Sequence, residues 1–559
     1  MSMTRQPTFI DLFSGCGGFT LGMLRAGFCC KAAIDFNQEA ISTLRANLMD
    51  NLPEKLDLPP VEHALKRDLT EFAPKDLEAI INTREIDVIV GGPPCQGFST
   101  ARQRDGSNHG TERLKDDPRR HLYRQFLDYV EHFQPKVFVI ENVLGLRSAA
   151  GGRYFTAVQH EARILGRGKK NLPGYRVHEQ IEKAEDLGVP QKRRRQLIIG
   201  VRANLPGFFR KDLPPSARAT LGAMLGDAIG DLPILAAGAG DYEAAYNMPR
   251  RMKNFLEGRR DEIRRNFLGK IAQVGFAKCL TNHTARPHSD RDIRDFKRLN
   301  EGENSSTAMR NGVQFEFPYD KKTFKDRYTR QHRNRPCSTI VAHLSKDGLM
   351  FIHPTQNRSL TPREAARVQT FPDWFVFPKA QTHSFRMIGN AVPPLVSEAV
   401  GDATMKFLND VDDMKAIPKP SYDAVFIPKN KTEAVKRLTA VSRLSEKELR
   451  ALSSENFLKT WHALIWLFPG LHPDSAHDHG KETEAWPEAE TRFPGIPLEY
   501  HKYHSRSGWP VPFVTLGGDA WRRYDSREIT DDSFYCADAQ RAGILFHQCK
   551  NSACSCENE

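Results

Sequence analysis

The chain has 559 residues, of which 39% are hydrophobic and 27% charged, and its formal net charge is +12. That length suffices for two or three core-bearing domains, and the positive balance points to an anionic partner, nucleic acid being the commonest for a large chain. No apolar stretch is long enough for a membrane span, the start shows no apolar signal region, and the ten cysteines fall at irregular spacings; these features exclude a membrane or disulfide-stapled secreted class and predict free thiols in a reducing, cytoplasmic compartment.

Thr8 to Phe13 reads as a strand running into Ser14-Gly15-Cys16-Gly17-Gly18, before a helical pattern from Phe19 to Ala26 closed by Gly27. Glycines in such a turn let backbone approach a ligand, and the helix N-terminus offers unpaired N–H groups to a carboxylate or phosphate. Alone the pattern serves dinucleotides, a methyl donor or nothing. The next strand, Cys29 to Ile34, ends at Asp35-Phe36-Asn37. Asn37 is placed to cap the helix marked by Ile41, Leu44 and Leu48. Asp35 can accept hydrogen bonds from both hydroxyls of a ribose, Phe36 can stack on an adenine, and Asp68 can accept from an adenine amino group or serve as an ordinary helix cap.

Ile86, Val88, Ile89 and Val90 predict a buried strand of a parallel sheet, ended by Gly91-Gly92. Pro93 and Pro94 then fix φ for two residues and deliver Cys95 at a defined place. Buried packing is the plain alternative for a cysteine, yet packing needs neither the double-Gly, double-Pro approach nor the polar Gln96 and Ser99 that follow. Cys95 is therefore the candidate nucleophile. Residues Thr100 to Asp117 read as a polar loop, either a lid or a solvated surface segment, and Asp117-Pro118-Arg119 opens a helix with the apolar stripe Leu122, Phe126, Val130 and Phe133. Lys136 to Ile140 is the next buried strand, with Glu141-Asn142-Val143 at its end. Strand ends on one edge of such a sheet face a common crevice, so Cys95 and Glu141 are expected to converge there.

A short strand, Tyr175 to Val177, precedes Gln191-Lys192-Arg193-Arg194-Arg195 and the strand Gln196 to Gly200. On an extended segment Arg193 and Arg195 share one side, and Lys192 and Arg194 face the other, toward solvent. From about Asn204 to Asn334 the regular alternation lapses and basic clusters appear, among them Arg250, Arg251, Arg259, Arg260, Arg264, Arg265, Arg294, Arg298, Lys321, Lys322 and Arg333; such clusters supply affinity for phosphate. Ser338 to Ala342 is strand-like, and Thr361-Pro362-Arg363-Glu364 marks a helix start with Thr361 as cap. Ile388-Gly389-Asn390-Ala391-Val392-Pro393-Pro394 leads into a helix with Val396, Val400, Ala403 and Phe407 on one face. Beyond Leu408 come a linker, a capping box at Ser445 to Glu448, and Cys536, Cys549, Cys554 and Cys556 beside His547; the cysteine spacing departs from the paired spacing of zinc sites, and no metal is assigned.

The string Gly91-Gly92-Pro93-Pro94-Cys95-Gln96-Gly97-Phe98-Ser99 resembles the catalytic motif of the cytosine-C5 methyltransferases of DNA, and other motifs of that family follow in its order from about Thr8 to about Leu408. The resemblance implies S-adenosylmethionine as cofactor, with Phe13, Gly15 and Gly17 as its loop, Asp35 and Phe36 on ribose and adenine, Asp68 on adenine, and Leu122, Asn390 and Val392 as further contacts. Glu141 matches the family's essential Glu in its Glu-Asn-Val motif, and Arg193 and Arg195 match a Gln-x-Arg-x-Arg motif that orients the target base. Gln96, Ser99 and Gln191 are taken with them as DNA contacts. The fold expected is α/β, a doubly wound Rossmann-like methyltransferase sheet with a smaller target-recognition domain and a C-terminal appendage. Its expected divisions are 1–203 for catalysis and cofactor, 204–334 for target recognition, 335–408 for a return segment completing the catalytic domain, and 409–559 for an extension. The function implied is methylation of C5 of a flipped cytosine in a specific double-stranded DNA sequence, by a monomer near the nucleoid, in company with a restriction or defence system. The alternatives are the same chemistry on tRNA, disfavoured by the large basic insert, and a non-catalytic DNA-binding protein on the same scaffold, disfavoured by the intact Cys95 and Glu141.

Overall fold

A computed structural model of the chain describes residues 5–94, 122–148, 153–163, 165, 175–202, 205, 209, 213–246, 255–256, 258–277, 279–317, 328–346, 348–415 and 447, with short strands at 498–503, 511–516, 533–534 and 546–547. Cys95, Gln96, Ser99, the polar loop that follows them, the Ser445 capping box and the C-terminal cysteines lie outside the described residues. The chain opens with β1 (Thr8–Leu12), α1 (Gly18–Arg25), β2 (Cys29–Asp35), α2 (Gln38–Arg45), β3 (Ala64–Lys66), α3 (Pro74–Ile81) and β4 (Val88–Gly91). It continues with α4 (Leu122–Phe133), β5 (Val137–Asn142), β6 (Tyr175–Lys183), β7 (Gln191–Lys192) and β8 (Arg194–Arg202).

Seven strands form one sheet in the order β3-β2-β1-β4-β5-β8-β6. Strands β1 to β5 pair in parallel, with Phe9 beside Val88, Val88 beside Val137, and Asp35 beside Lys66. The sequence dictates this. Phe9, Ile10, Val88, Ile89, Val90, Val137, Phe138 and Val139 have no exposed surface, and unbroken apolar strands of this kind are stable only in a sheet covered on both faces. Because β2 and β4 flank β1 on opposite sides, the winding reverses between β1 and β4, and the loops that leave those strands diverge into a crevice.

Helix α1 reaches a later helix, Pro394–Lys415, through glycine. A Cβ on Gly22 would lie 2.3 Å from Ser397 Oγ and 2.5 Å from the Pro394 carbonyl oxygen, and one on Gly401 would lie 2.4 Å from the Ala26 Cβ. The end of this segment thus packs directly on the beginning of the chain.

Several bounds depart from the sequence reading. β6 runs from Tyr175 to Lys183, well past Val177. Of Ser338 to Ala342 only Cys337–Ser338 is a strand, paired in parallel with β7, and a turn of 3-10 helix follows at Ala342–Ser345. Asn390 ends a helix, Gln381–Asn390, so the turn before Pro394 joins two helices.

The described chain divides into two compact units. The first comprises 1–152, 179–198 and 213–402. Beside the sheet it holds a second small core, in which Phe296, Leu299, Phe315, Phe317, Tyr328 and Ile352 pack together, and a buried ionic cluster around the helix Pro362–Val368. Thr361 caps that helix with the expected box: its hydroxyl accepts from Glu364 N, and the Glu364 carboxylate accepts from Thr361 N. The second unit comprises 153–178, 199–212 and 403–559. It contains the helix Arg153–Arg163, the ring contact of Phe209 with Phe407, and two antiparallel strand pairs, Leu498–Tyr503 with Val511–Leu516 and Ser533–Phe534 with Phe546–His547. No helix among the described residues is long and apolar enough to cross a membrane.

Candidate active site

The loop after β1 is tied to the end of β2. Phe13 and Gly15 take positive φ, of 59° and 55°, and Gly17 caps α1 at φ 93°. This contorted path aims the Gly15 N–H at Asp35 Oδ2, 2.9 Å away, while Asp35 Oδ1 accepts from Asn37 N at 2.9 Å. Asn37 in turn accepts from Ala40 N and caps α2 as expected. Burial holds the Asp35 carboxyl above its ordinary value, opposed by the N–H groups of Asn37 and Gly15. Next to it Phe36 projects with 63% of its surface exposed. An aromatic ring left that bare beside a loop of turning backbone is what a stacking ligand requires.

Asp68 follows β3 on the same edge. The link is direct: Arg67 N donates to the Asp35 carbonyl at 3.0 Å. Asp68 Oδ1 accepts from both Thr70 N and Thr70 Oγ1, which fixes the side chain in a local turn, whereas α3 starts only at Pro74. Leu122 opens α4, half-buried, and Phe126 one turn on packs under β4, 3.1 Å from where a Gly91 Cβ would be. Val392 closes the loop from the far end of the sequence, since its carbonyl oxygen would be 2.3 Å from any Cβ on Gly18. Asn390 beside it is exposed.

At the neighbouring strand ends, Glu141 is the last residue but one of β5 and almost wholly buried. Its Oε2 lies 3.5 Å from the Cβ position of Gly92, and Asn142 Nδ2 donates to the Pro93 carbonyl at 3.2 Å. The Pro93-Pro94 approach is therefore anchored to the segment that carries Glu141. Arg195 Nε comes within 2.8 Å of Glu141 Oε1, a meeting of charges whose alignment leaves that oxygen without a hydrogen-bond partner among the described residues.

The alternation expected for the basic run holds: Lys192 and Arg194 are exposed, Arg193 is buried and Arg195 is partly so. What the inward pair meets differs from expectation. Arg193 is 2% exposed and donates to the carbonyls of Ile340 and Ala391, at 3.0 and 2.9 Å. Gln191 has no exposed surface; its amide donates to Gln369 Oε1 and accepts from Ile340 N. Both side chains are thus engaged with the protein's own backbone and amides.

Sequence reasoning missed Asp11 and Ser14. Asp11 sits in β1, 1% exposed, with Oδ2 accepting from Thr20 Oγ1 at 2.6 Å and Oδ1 without a partner among the described residues. Burial raises its carboxyl to about 7. The Ser14 hydroxyl is also buried and unpartnered among the described residues. A carboxylate inside an otherwise apolar strand was a visible signal; Ser14 carried none.

Among the described residues of 204–334, several basic side chains meet carboxylates of the same segment. Arg260 and Arg264 converge on Asp227, Arg265 meets Asp261, Arg294 and Arg298 bracket Glu316 at 2.7 Å each, and Arg333 meets Glu301 at 2.9 Å. Arg330 is buried, donating to the carbonyls of Phe296, Leu299 and His353. Arg250, Arg251, Lys321 and Lys322 lie outside the described residues.

Residues 7–406 match the model of the C-5 cytosine-specific DNA methylase family. The chain is 31% identical over 416 residues to the type II methyltransferase M.DdeI of Desulfomicrobium norvegicum, covering 72% of this chain and 89% of that one. It is 33% identical over 423 residues to M.XorII of Xanthomonas oryzae, covering 73% of this chain and 86% of that one. A solved structure of a prophage-encoded DNA modification methyltransferase from E. coli matches with a TM-score of 0.53 at 28% identity, over 72% of this chain and 99% of that chain. With that span of sequence matched, and with the loop of β1, the acid of β2 and Glu141 gathered on one sheet edge, the chain belongs to the C-5 cytosine-specific DNA methylases.

Proposed function

We propose that this DNA methylase takes its methyl group from S-adenosylmethionine and delivers it to a cytosine rotated out of duplex DNA, with Cys95 as nucleophile and Glu141 and Arg195 acting on the ring. The observation that carries the reading is the Glu141–Arg195 pair, in which Glu141 is buried and Arg195 partly so at the end of β5, facing the Gly92-Pro93-Pro94 approach to Cys95. The residues on the β1–β2 edge suit the cofactor. Asp11 Oδ1 and Ser14 Oγ are buried polar atoms without partners among the described residues, Gly15 has open space where a Cβ would stand, and Phe36 presents a bare ring. Phe13, Gly15 and Gly17 would hold the amino-acid portion, Asp35 the ribose, Phe36 and Asp68 the adenine, with Leu122, Asn390 and Val392 bordering the pocket. When bound, S-adenosylmethionine supplies an electrophilic sulfonium methyl.

C5 of cytosine is a weak nucleophile, so the chain must first load electron density onto it. The Cys95 thiolate adds to C6, the C5–C6 π pair moves onto C5, and Glu141, entering the step as the carboxylic acid, passes its proton to N3 as charge develops and is left as the carboxylate. Arg195 steadies the Glu141 carboxylate and holds O2. After C5 gains its methyl, a base removes the C5 proton and the returning pair expels Cys95. A thiol of ordinary pKa near 8.5 is only a few per cent ionised at neutral pH, so the pocket must favour the thiolate. A stacked base cannot reach such a crevice, which is why the cytosine must flip. The setting we infer is a cytoplasmic monomer at the nucleoid, beside a cognate restriction or defence system; the type II names of the relatives support that last inference.

Tritium transfer from labelled S-adenosylmethionine to duplex DNA tests the reading. Cys95→Ser and Glu141→Gln are expected to keep cofactor binding while turnover falls by about 100-fold or more. Duplex containing 5-fluorocytosine should trap the enzyme irreversibly, since fluorine blocks loss of the C5 substituent. Wild-type turnover by Cys95→Ser, or methylation without trapping, would overturn the covalent route.

A further inference from the structure

The last turn of the helix Gln381–Asn390 ends in the turn that carries Asn390 and Val392; the Met387 carbonyl accepts from Ala391 N, and the carbonyls after it have no intrahelical partners. Side chains from far away in sequence satisfy them. Gln369 Nε2 donates to the Ile388 carbonyl at 2.5 Å and to the Ala391 carbonyl at 3.3 Å. Arg193 donates through Nη1 to the Gly389 carbonyl at 3.5 Å and through Nη2 to the Ala391 carbonyl at 2.9 Å. Gln191 completes the set by holding Gln369 Oε1 at 2.5 Å. A cation at this position also opposes the negative end of the helix dipole.

The turn so held is wedged between two backbones. A Cβ on Gly389 would fall 2.3 Å from Ala342 N, and the Val392 carbonyl oxygen would be equally close to a Cβ on Gly18. Ser397 Oγ donates to the Gly18 carbonyl at 2.9 Å, fixing the same junction. Displacing the turn therefore displaces Asn390 and Val392 relative to the β1 loop.

We infer that Arg193, assisted by Gln369, is a positioning residue for the cofactor pocket: it clamps the 388–392 turn onto the Gly18 end of the β1 loop and touches neither the target base nor DNA. The inference rests on the reading that this pocket holds S-adenosylmethionine. Its geometry needs a planar fork, because one guanidinium spans the Ile340, Gly389 and Ala391 carbonyls at once, which a lysine ammonium cannot do.

The test measures S-adenosylhomocysteine binding by calorimetry, DNA retention by filter binding, and the melting temperature, on the full chain. Arg193→Lys and Gln369→Met are each expected to raise the S-adenosylhomocysteine dissociation constant about ten-fold or more, and KM for S-adenosylmethionine with it. DNA retention should stay within about two-fold of wild type and kcat at saturating cofactor should largely recover. A merely structural role would lower the melting temperature and leave cofactor affinity of the folded fraction unchanged; a base-contact role would lower kcat and DNA retention with the cofactor constant unmoved. Either result overturns the clamp. Should Arg193→Lys fail to fold, Gln369→Met decides alone. If wild type itself binds no S-adenosylhomocysteine, the pocket assignment has failed, and the clamp with it.

Discussion

Asp11 is a carboxylic acid in the middle of a buried strand, and its ionisation is therefore tied to folding. Burial raises it from 3.8 to about 7, the Thr20 hydroxyl only partly opposing this. The folded state prefers the neutral acid, so the stability this preference contributes is complete below about pH 4 and disappears as pH climbs through 7. Above that the ionised group burdens the fold by about 4 kcal/mol, a pKa unit being worth about 1.4 kcal/mol. Asp11→Asn should accordingly be more stable than wild type in urea at pH 8, by up to about 4 kcal/mol, with the advantage fading toward pH 4. A pH-independent difference would mean that Asp11 does not titrate with folding. At this scale the sequence was readable where chemistry was local. The strand-end acids Asp35 and Glu141 sit where the strand pattern placed them. Arg193 and Arg195 show where it stopped: alternation assigned both to the same face, but no short-range pattern states that one meets Glu141 and the other a turn almost two hundred residues later, at Ala391.

The helix Pro362–Val368 illustrates an element whose stability depends on paired burial. Arg358 and Glu364 have essentially no exposed surface, and the pair is bidentate at 2.8 and 2.7 Å. The Arg358 guanidinium, with His353 and His283 behind it, outweighs burial and holds the Glu364 carboxyl far below the carboxylate range. Removing one partner strands a charge: Arg358→Met should cost about 3–5 kcal/mol. The double variant Arg358→Met with Glu364→Gln should cost less than the two single changes summed, as a denaturation cycle would measure. The capping box of this helix was legible because it is written within four residues. Ser338 to Ala342 was misread for the opposite reason. Its strand ends after Ser338 because its partner β7 has only Gln191 and Lys192 to offer, and pairing length is a property of the partner.

Across the whole molecule the net charge of +12 overstates the positive surface offered by the described residues of 204–334. Arg294 and Arg298 are balanced by Glu316 and Asp295, whereas Arg260 and Arg264 share the single carboxylate of Asp227 and keep one charge over. Arg294→Ala combined with Arg298→Ala is expected to change DNA affinity by less than about two-fold and to leave the slope of log affinity against log salt unaltered, since every phosphate that ceased to be neutralised would lower that slope by about 0.9. A slope reduced by two such steps would show that Glu316 yields both arginines to DNA. Composition supplies the count of charges, and only the folded arrangement shows which of them are left over.

The junction of Gly22 with Pro394 and Ser397, and of Gly401 with Ala26, bears on how the protein is made. As the chain emerges from the ribosome, the first strands can collapse early, yet the face of α1 that carries Gly22 meets Pro394 and Ser397 only after nearly four hundred residues have been synthesised. Joining ends that far apart costs about 5 kcal/mol in loop entropy, recovered only when the late helix seats on those glycines. An interrupted nascent chain thus exposes an unfinished first helix to chaperones and proteases, and DNA methylation waits for translation to pass Gly401.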